Sequence, residues 1–212
     1  GIKNILNISK NSHIKKVFYS SSSEVYGEPV EIPQFEDTTP LNSRLPYAIV
    51  KNVGEAFFRT YNQEYGLDYT IFRFFNTYGP RQSTDFVISR FIFLAQQNID
   101  ITIYGDGLQT RTFCYIDDNL ETIENILNQS CLDNEVINIG SDQEITILDL
   151  ARKVIKLLNS KSRIIHIDPL KEGDMARRQP DISKMKAVLN RELTSLDTGI
   201  LLTAKSRFLQ ME

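Results

Sequence analysis

Apolar positions recur along the chain on a helical period in some stretches and as dense short runs in others, with polar turns between them. Ile2, Ile5, Leu6 and Ile8 follow a helical period through residues 2–11, which predicts the tail of an amphipathic helix. Residues 14–20 (Ile-Lys-Lys-Val-Phe-Tyr-Ser) predict a short buried strand that runs into a serine cluster. A loop with Pro29, Pro33 and Pro40 and the acids Glu28, Glu31, Glu36 and Asp37 follows. Pro46 suits the first turn of a helix, which carries Tyr47, Lys51, Ala56, Phe57 and Phe58 to about Glu64 before Gly66 ends it.

The second half repeats the alternation. Tyr69 to Phe75 is a β-branched and aromatic run, hence a buried strand, closed by a turn over 76–81. A helix is predicted over 86–97, a strand over 101–104, a turn at Gly105-Asp106-Gly107 and an extended segment over 111–116. Asp117 or Asp118 is expected to cap a helix through Leu127, and 136–140 reads as a strand. Thr146 should cap an amphipathic helix bearing Ile147, Leu150, Ala151, Val154, Ile155 and Leu158. A strand over 163–167, a polar segment over 171–180 and helices near 182–189 and 195–209 complete the chain. Strands alternating with helices predict an α/β protein built of parallel βαβ units.

Composition changes this picture little. A formal charge of −3 over 212 residues gives no reason to expect nucleic acid or an anionic membrane as partner. No apolar run reaches the ~18 residues that span a bilayer, and no signal peptide is visible. Cys114 and Cys131 read as buried free thiols in a reducing compartment, and the isolated His13 and His166 predict no metal site. The chain opens on Gly1 rather than Met, and reads as a piece of a longer protein.

The candidate chemistry begins with Tyr47 and Lys51, four residues apart and therefore on one face of their helix. A phenol, with a pKa near ~10, is a poor base at neutral pH, and a lysine ammonium beside it favours the phenolate. Taken alone, the spacing arises by chance on any surface helix. Its company is more informative. Upstream lies Ser20-Ser21-Ser22-Ser23-Glu24-Val25-Tyr26-Gly27, and downstream lies Arg73-Phe74-Phe75-Asn76-Thr77-Tyr78-Gly79-Pro80-Arg81.

These three stretches, in this order, resemble the extended short-chain dehydrogenase/reductases, in particular the NAD-dependent nucleotide-sugar epimerase, dehydratase and decarboxylase group. The resemblance runs from residue 1 to about residue 200. It implies the C-terminal part of an NAD(P)-binding Rossmann fold, a parallel sheet with helices, plus a small α/β substrate-binding lobe. Residues 1–83 would be the partial Rossmann domain and 84–212 mainly the nucleotide-sugar lobe. Only two strong Rossmann-type strands are legible, near 15–20 and 69–75, and no G-x-G-x-x-G occurs. The phosphate cradle of the family is therefore expected outside these residues.

The resemblance also implies roles. Ser22, Glu24, Tyr47 and Lys51 would be catalytic; Tyr47, Lys51, Phe74, Tyr78 and Pro80 would meet NAD. Ser22, Asn76, Arg81, Tyr104, Arg111 and Arg178 would meet the nucleotide sugar. Gly173-Asp174 with Arg177-Arg178-Gln179-Pro180-Asp181 resembles the late diphosphate clamp, and Arg178 is preferred to Arg177 for its spacing to Asp181. Asn76 reads equally as a turn asparagine. The hexose 4,6-dehydratases carry Asp-Glu where this chain has Ser23-Glu24, a pair like that of the UDP-glucuronate decarboxylases. Epimerisation, decarboxylation and dehydration after oxidation at C4 remain open, with decarboxylation modestly favoured. The alternative is a catalytically inactive nucleotide-sugar-binding fragment. By resemblance the intact enzyme would be a cytoplasmic homodimer.

Overall fold

The computed structural model describes residues 1–169 and 177–206. The elements in chain order are α1 (Ile2–Asn11), β1 (Lys16–Ser22), α2 (Pro46–Tyr65), β2 (Asp68–Phe74), β3 (Thr77–Tyr78), α3 (Val87–Gln96), β4 (Ile101–Tyr104) and β5 (Thr110–Thr112). Then come β6 (Cys114–Tyr115), α4 (Ile116–Gln129), β7 (Glu135–Ile139), β8 (Glu144–Thr146), α5 (Ile147–Leu157), β9 (Ile164–Ile167), α6 (Ser183–Leu189) and α7 (Leu196–Lys205). A single 3-10 turn, Ser23–Tyr26, follows β1 directly.

The chain divides into two units, one of Gly1–Phe75, Leu120–Gly140 and Pro180–Arg191, the other of Asn76–Asn119, Ser141–Gln179 and Glu192–Glu212. In the first unit β1, β2 and β7 form a parallel sheet in that order. Two of its strands match the sequence expectation. The third, β7, joins it 61 residues after β2 ends, a pairing that local pattern cannot reveal. Alternate residues of a strand face opposite sides. Val17 and Tyr19 of β1, Tyr69 and Ile71 of β2 and Val136 of β7 accordingly gather with Leu6, Phe58 and Tyr61 in one core under α1 and α2. Phe18 and Phe72 stack, with ring centroids 5.6 Å apart.

Helix α2 starts and stops for local reasons. Pro46 occupies its first turn, where a missing N–H costs nothing, and Gly66 closes it in the left-handed conformation at φ 67°. At Gly54 the helix runs so close to the Tyr19 hydroxyl that a Cβ has no room.

In the second unit, α3, α5 and α7 pack together around a core of Phe91, Ile92, Ile101, Ile103, Leu150, Val154 and Ile200. Strand β4 pairs with β9 in parallel, β3 with β6 in parallel, and β5 with β8 antiparallel. Thr146 caps α5, its Oγ1 accepting from Asp149 N at 2.9 Å. The expected cap at Asp117 or Asp118 is not one: α4 begins at Ile116, and the buried Asp118 instead accepts from Thr194 N and Oγ1, both at 2.9 Å. Both cysteines are free, but only Cys114 is fully buried.

Candidate active site

Strand β1 ends at Ser22, and its backbone then folds into the 3-10 turn. Ser22 caps that turn, its Oγ accepting from Glu24 N at 3.2 Å, and it is 9% exposed. Glu24, half-buried, lies in the first turn after it. Tyr47 stands in the first turn of α2 and is 58% exposed. One turn on, Lys51 donates from Nζ to the Ser20 carbonyl at 2.7 Å, and its ammonium lies 5.6 Å from the Tyr47 ring centroid. It also lies 5.5 Å from the ring of Tyr19, whose hydroxyl donates to the Lys51 carbonyl at 3.3 Å. Burial, helped by the nearby charges of Glu55 and Tyr47, pushes the Tyr19 phenol up to about 12, so Tyr19 stays protonated at neutral pH.

The first unit thus brings Tyr47, Lys51 and the Ser20–Ser22 strand end together. Among the described residues no hydrogen bond joins the Ser22 and Tyr47 hydroxyls. Phe74, the last residue of β2, is half-buried and sits opposite Ser22 in the sheet register. A lysine carries three N–H donors; among the described residues one of them meets the Ser20 carbonyl.

The remaining site residues belong to the second unit. Asn76 Nδ2 donates to the Thr112 carbonyl at 3.0 Å, and Arg111 Nη1 donates to the Thr110 carbonyl at 2.7 Å. Both line one cavity of about 300 Å³ with Tyr104 and Arg90. Arg90 was not legible as a candidate residue, because it sits in a mostly apolar helix. Its Nε is buried and has no hydrogen-bond partner among the described residues. Tyr78, expected beside NAD, is 2% exposed and packs edge-on against Phe113 and Tyr115. Burial pushes its phenol well above the usual range. Pro80 is half-buried, while Arg81 is exposed with φ 69°. Arg178 is 8% exposed; the exposed Arg177 is held bidentately by Glu144 at 2.6 and 2.7 Å. That guanidinium holds the Glu144 carboxyl below its ordinary range. Gly173 and Asp174 lie outside the described residues.

Sequence reading also passed over Ser21, Glu55 and Arg73 in the first unit. Ser21 Oγ donates to Glu55 Oε1 at 2.7 Å, and Arg73 grips the same carboxylate through Nε at 3.0 Å and Nη2 at 2.8 Å. A signal existed in part: Tyr47, Lys51 and Glu55 continue one four-residue stripe along α2.

A family model described as NAD dependent epimerase/dehydratase family matches residues 1–140. A UDP-N-acetyl-alpha-D-glucosaminuronate decarboxylase of Bacillus cytotoxicus is 37% identical over 88% of the chain and 61% of its own length. UDP-glucuronic acid decarboxylase 1 of Danio rerio is 34% identical over 94% of the chain and 49% of its own length. The crystal structure of a UDP-glucose 4-epimerase of Thermotoga maritima, solved with UDP-glucose, superposes at a TM-score of 0.88. It is 31% identical and covers 96% of this chain and 67% of its own. The chain therefore spans about half to two thirds of the length of the curated relatives it matches. Its α/β architecture, a parallel sheet with helices, is that of the Rossmann-fold NAD-binding epimerases.

Proposed function

The chain belongs to the NAD dependent epimerase/dehydratase family, and we propose that in the intact enzyme it carries the proton-transfer residues that oxidise a UDP- or dTDP-linked sugar at C4. The observation that carries this reading is the Lys51 ammonium, fixed on the Ser20 carbonyl at 2.7 Å, one helical turn from the exposed phenol of Tyr47 and beside the end of β1. Sheets of this kind bind ligands beyond the carboxyl ends of their strands, where Ser22 and Phe74 lie.

Tyr47 takes the proton of the sugar 4-hydroxyl, and Lys51 offers a fixed positive charge next to the oxygen that receives it. Ser22 hydrogen-bonds the same hydroxyl and orients it. NAD, when bound, supplies the acceptor for the C4 hydride and its donor in the return step. The fit of this chain to that cofactor rests on Lys51, which offers donors to the nicotinamide ribose, with Tyr47 one turn away and Phe74 at the strand end opposite Ser22. The resemblance adds Pro80, while Tyr78 is buried against Phe113 and Tyr115 and would act by shaping its own unit. Asn76, Arg81, Tyr104, Arg111 and Arg178 hold the nucleotide sugar, and the cavity shared by Asn76, Tyr104 and Arg111 supports that assignment. In this reading residues 1–83 supply the catalytic groups and 84–212 mainly the substrate lobe.

After oxidation, Glu24 and the Ser23-Glu24 pair favour decarboxylation of a uronate, since a β-keto acid loses carbon dioxide with little help beyond the 4-keto group. Both curated relatives described above are named as decarboxylases. Exposed Ile5 and Ile8 on α1 and Ile49, Val50 and Val53 on α2 offer an apolar surface for the homodimer. No helix among the described residues is long and apolar enough to cross a membrane.

Loss of carbon dioxide from UDP-glucuronate, but not from UDP-glucose, UDP-N-acetylglucosamine or dTDP-glucose, identifies a decarboxylase; a 4-epimer or a 4-keto-6-deoxy product replaces that assignment.

A further inference from the structure

Across the sheet of the first unit, the α2-facing side changes character at one row. Tyr19, Ile71 and Val136 stand in register and are buried in the apolar core. The next row on that side, nearer the strand ends, is Ser21, Arg73 and Asn138, also in register and all buried. From α2, Glu55 enters this row at 1% exposure and meets Arg73, likewise 1% exposed.

The contacts of that ion pair converge on Ser22. On one side of it in sequence, Ser21 Oγ donates to Glu55. On the other side, Tyr26 closes the turn that Ser22 caps; Arg73 Nη1 donates to the Tyr26 hydroxyl at 2.9 Å and to the Glu36 carbonyl at 3.1 Å. Tyr26 in turn donates to Asn138 Oδ1 at 2.8 Å, and Asn138 N donates to Glu36 Oε1 at 2.8 Å. One buried pair therefore grips both flanks of the segment Ser22–Val25, and it does so from the helix that presents Tyr47 and Lys51 two turns and one turn earlier.

Burying two charges is a poor way to gain stability, because desolvation offsets most of the attraction and apolar residues of similar volume often serve as well or better. Directional, fully satisfied hydrogen bonds do fix geometry in a way that apolar contacts do not. We propose that Glu55 and Arg73 are positioning residues: they hold the Ser22 end of β1 in register with the Tyr47–Lys51 face of α2. This inference rests on the functional reading above and specifies what sets the geometry of that site.

The test is the double variant Glu55→Leu/Arg73→Met in the intact, NAD-loaded protein, chosen because it removes both charges together and spares the fold. Amide hydrogen exchange is read segment by segment, and turnover on the nucleotide sugar is read beside it. Exchange is expected to rise at least tenfold over residues 21–26 while the interiors of β2 and β7 keep their protection. kcat should fall at least tenfold with KM within twofold. Glu55→Asp with Arg73 intact should recover part of both. Unchanged exchange over 21–26, or a uniform rise across the sheet, overturns the proposal whatever the turnover. Localised exchange with wild-type kcat overturns it as well. A wild-type enzyme that turns over no nucleotide sugar overturns the functional reading instead, and the exchange pattern then decides by itself whether Glu55 and Arg73 hold the Ser22 end of β1.

Discussion

Replacing Glu55 by leucine leaves a guanidinium inside the first unit with no carboxylate to meet it. Arg73 is 1% exposed and cannot shed its proton, so the charge stays buried and uncompensated. Its remaining partners, the Tyr26 hydroxyl and the Glu36 carbonyl, are neutral. Breaking a buried pair from one side costs roughly 3–5 kcal/mol, a large part of the ~5–15 kcal/mol that holds a typical domain together. For a chain of this length each kcal/mol moves Tm by roughly 2–4 °C, so thermal melting should fall by roughly 6–20 °C. Arg73→Met strands the Glu55 carboxylate in the same way and is expected to destabilise as well. Urea denaturation of the two single variants and the double, followed by circular dichroism, completes the cycle. The double variant should regain most of the loss. If Glu55→Leu costs no more than the ~0.5 kcal/mol of a surface substitution, the pair is not buried and mutually satisfied, and the reasoning fails.

Other expectations follow from single positions. Gly54→Ala gains about 1 kcal/mol of helix propensity but drives a methyl into the Tyr19 hydroxyl, an overpacking cost of about 1–3 kcal/mol; denaturant midpoints should drop rather than rise. Burial pushes the Tyr26 phenol up to about 12 against the pull of the Arg73 guanidinium beside it. Its folded state thus keeps a proton that the unfolded chain gives up near 10, so the stability it contributes is intact below pH 10 and is lost as pH rises through 12. A rise from 10 to about 12 corresponds to about 3 kcal/mol. Tyr26→Phe should flatten the alkaline limb of a stability–pH curve between 10 and 12, and an unchanged limb would remove Tyr26 from the account. Tyr47→Phe should abolish turnover in the intact enzyme while moving Tm little, since the residue is 58% exposed; an active Phe variant means the base is elsewhere.

What could be read beforehand was local chemistry. Pro46 at a helix start, Gly66 at its end and Thr146 as a cap each act through backbone groups within four residues, and each does so here. Asp118 carries the same local signature, but its partner Thr194 is 76 residues away, beyond the reach of local pattern. The third strand β7 was visible as a strand, but its place beside β2 depends on long-range register. The same limit hid the polar row. Arg73 stood inside a dense apolar run that marks a buried strand, and nothing nearby announces that Glu55, 18 residues earlier, comes to meet it. Tyr47 and Lys51 were legible because one helical turn joins them. Arg90 was not, since its cavity is assembled from several elements.

The central claim is proton removal by Tyr47 at a sugar C4 hydroxyl beside Lys51. The most direct measurement is product analysis by mass and NMR after the intact enzyme meets UDP-glucuronate, with the Tyr47→Phe variant in parallel. The account predicts release of carbon dioxide and a UDP-pentose from the wild type and none from the variant. Equal turnover by both proteins, or no C4 chemistry on any of the four nucleotide sugars, would contradict it.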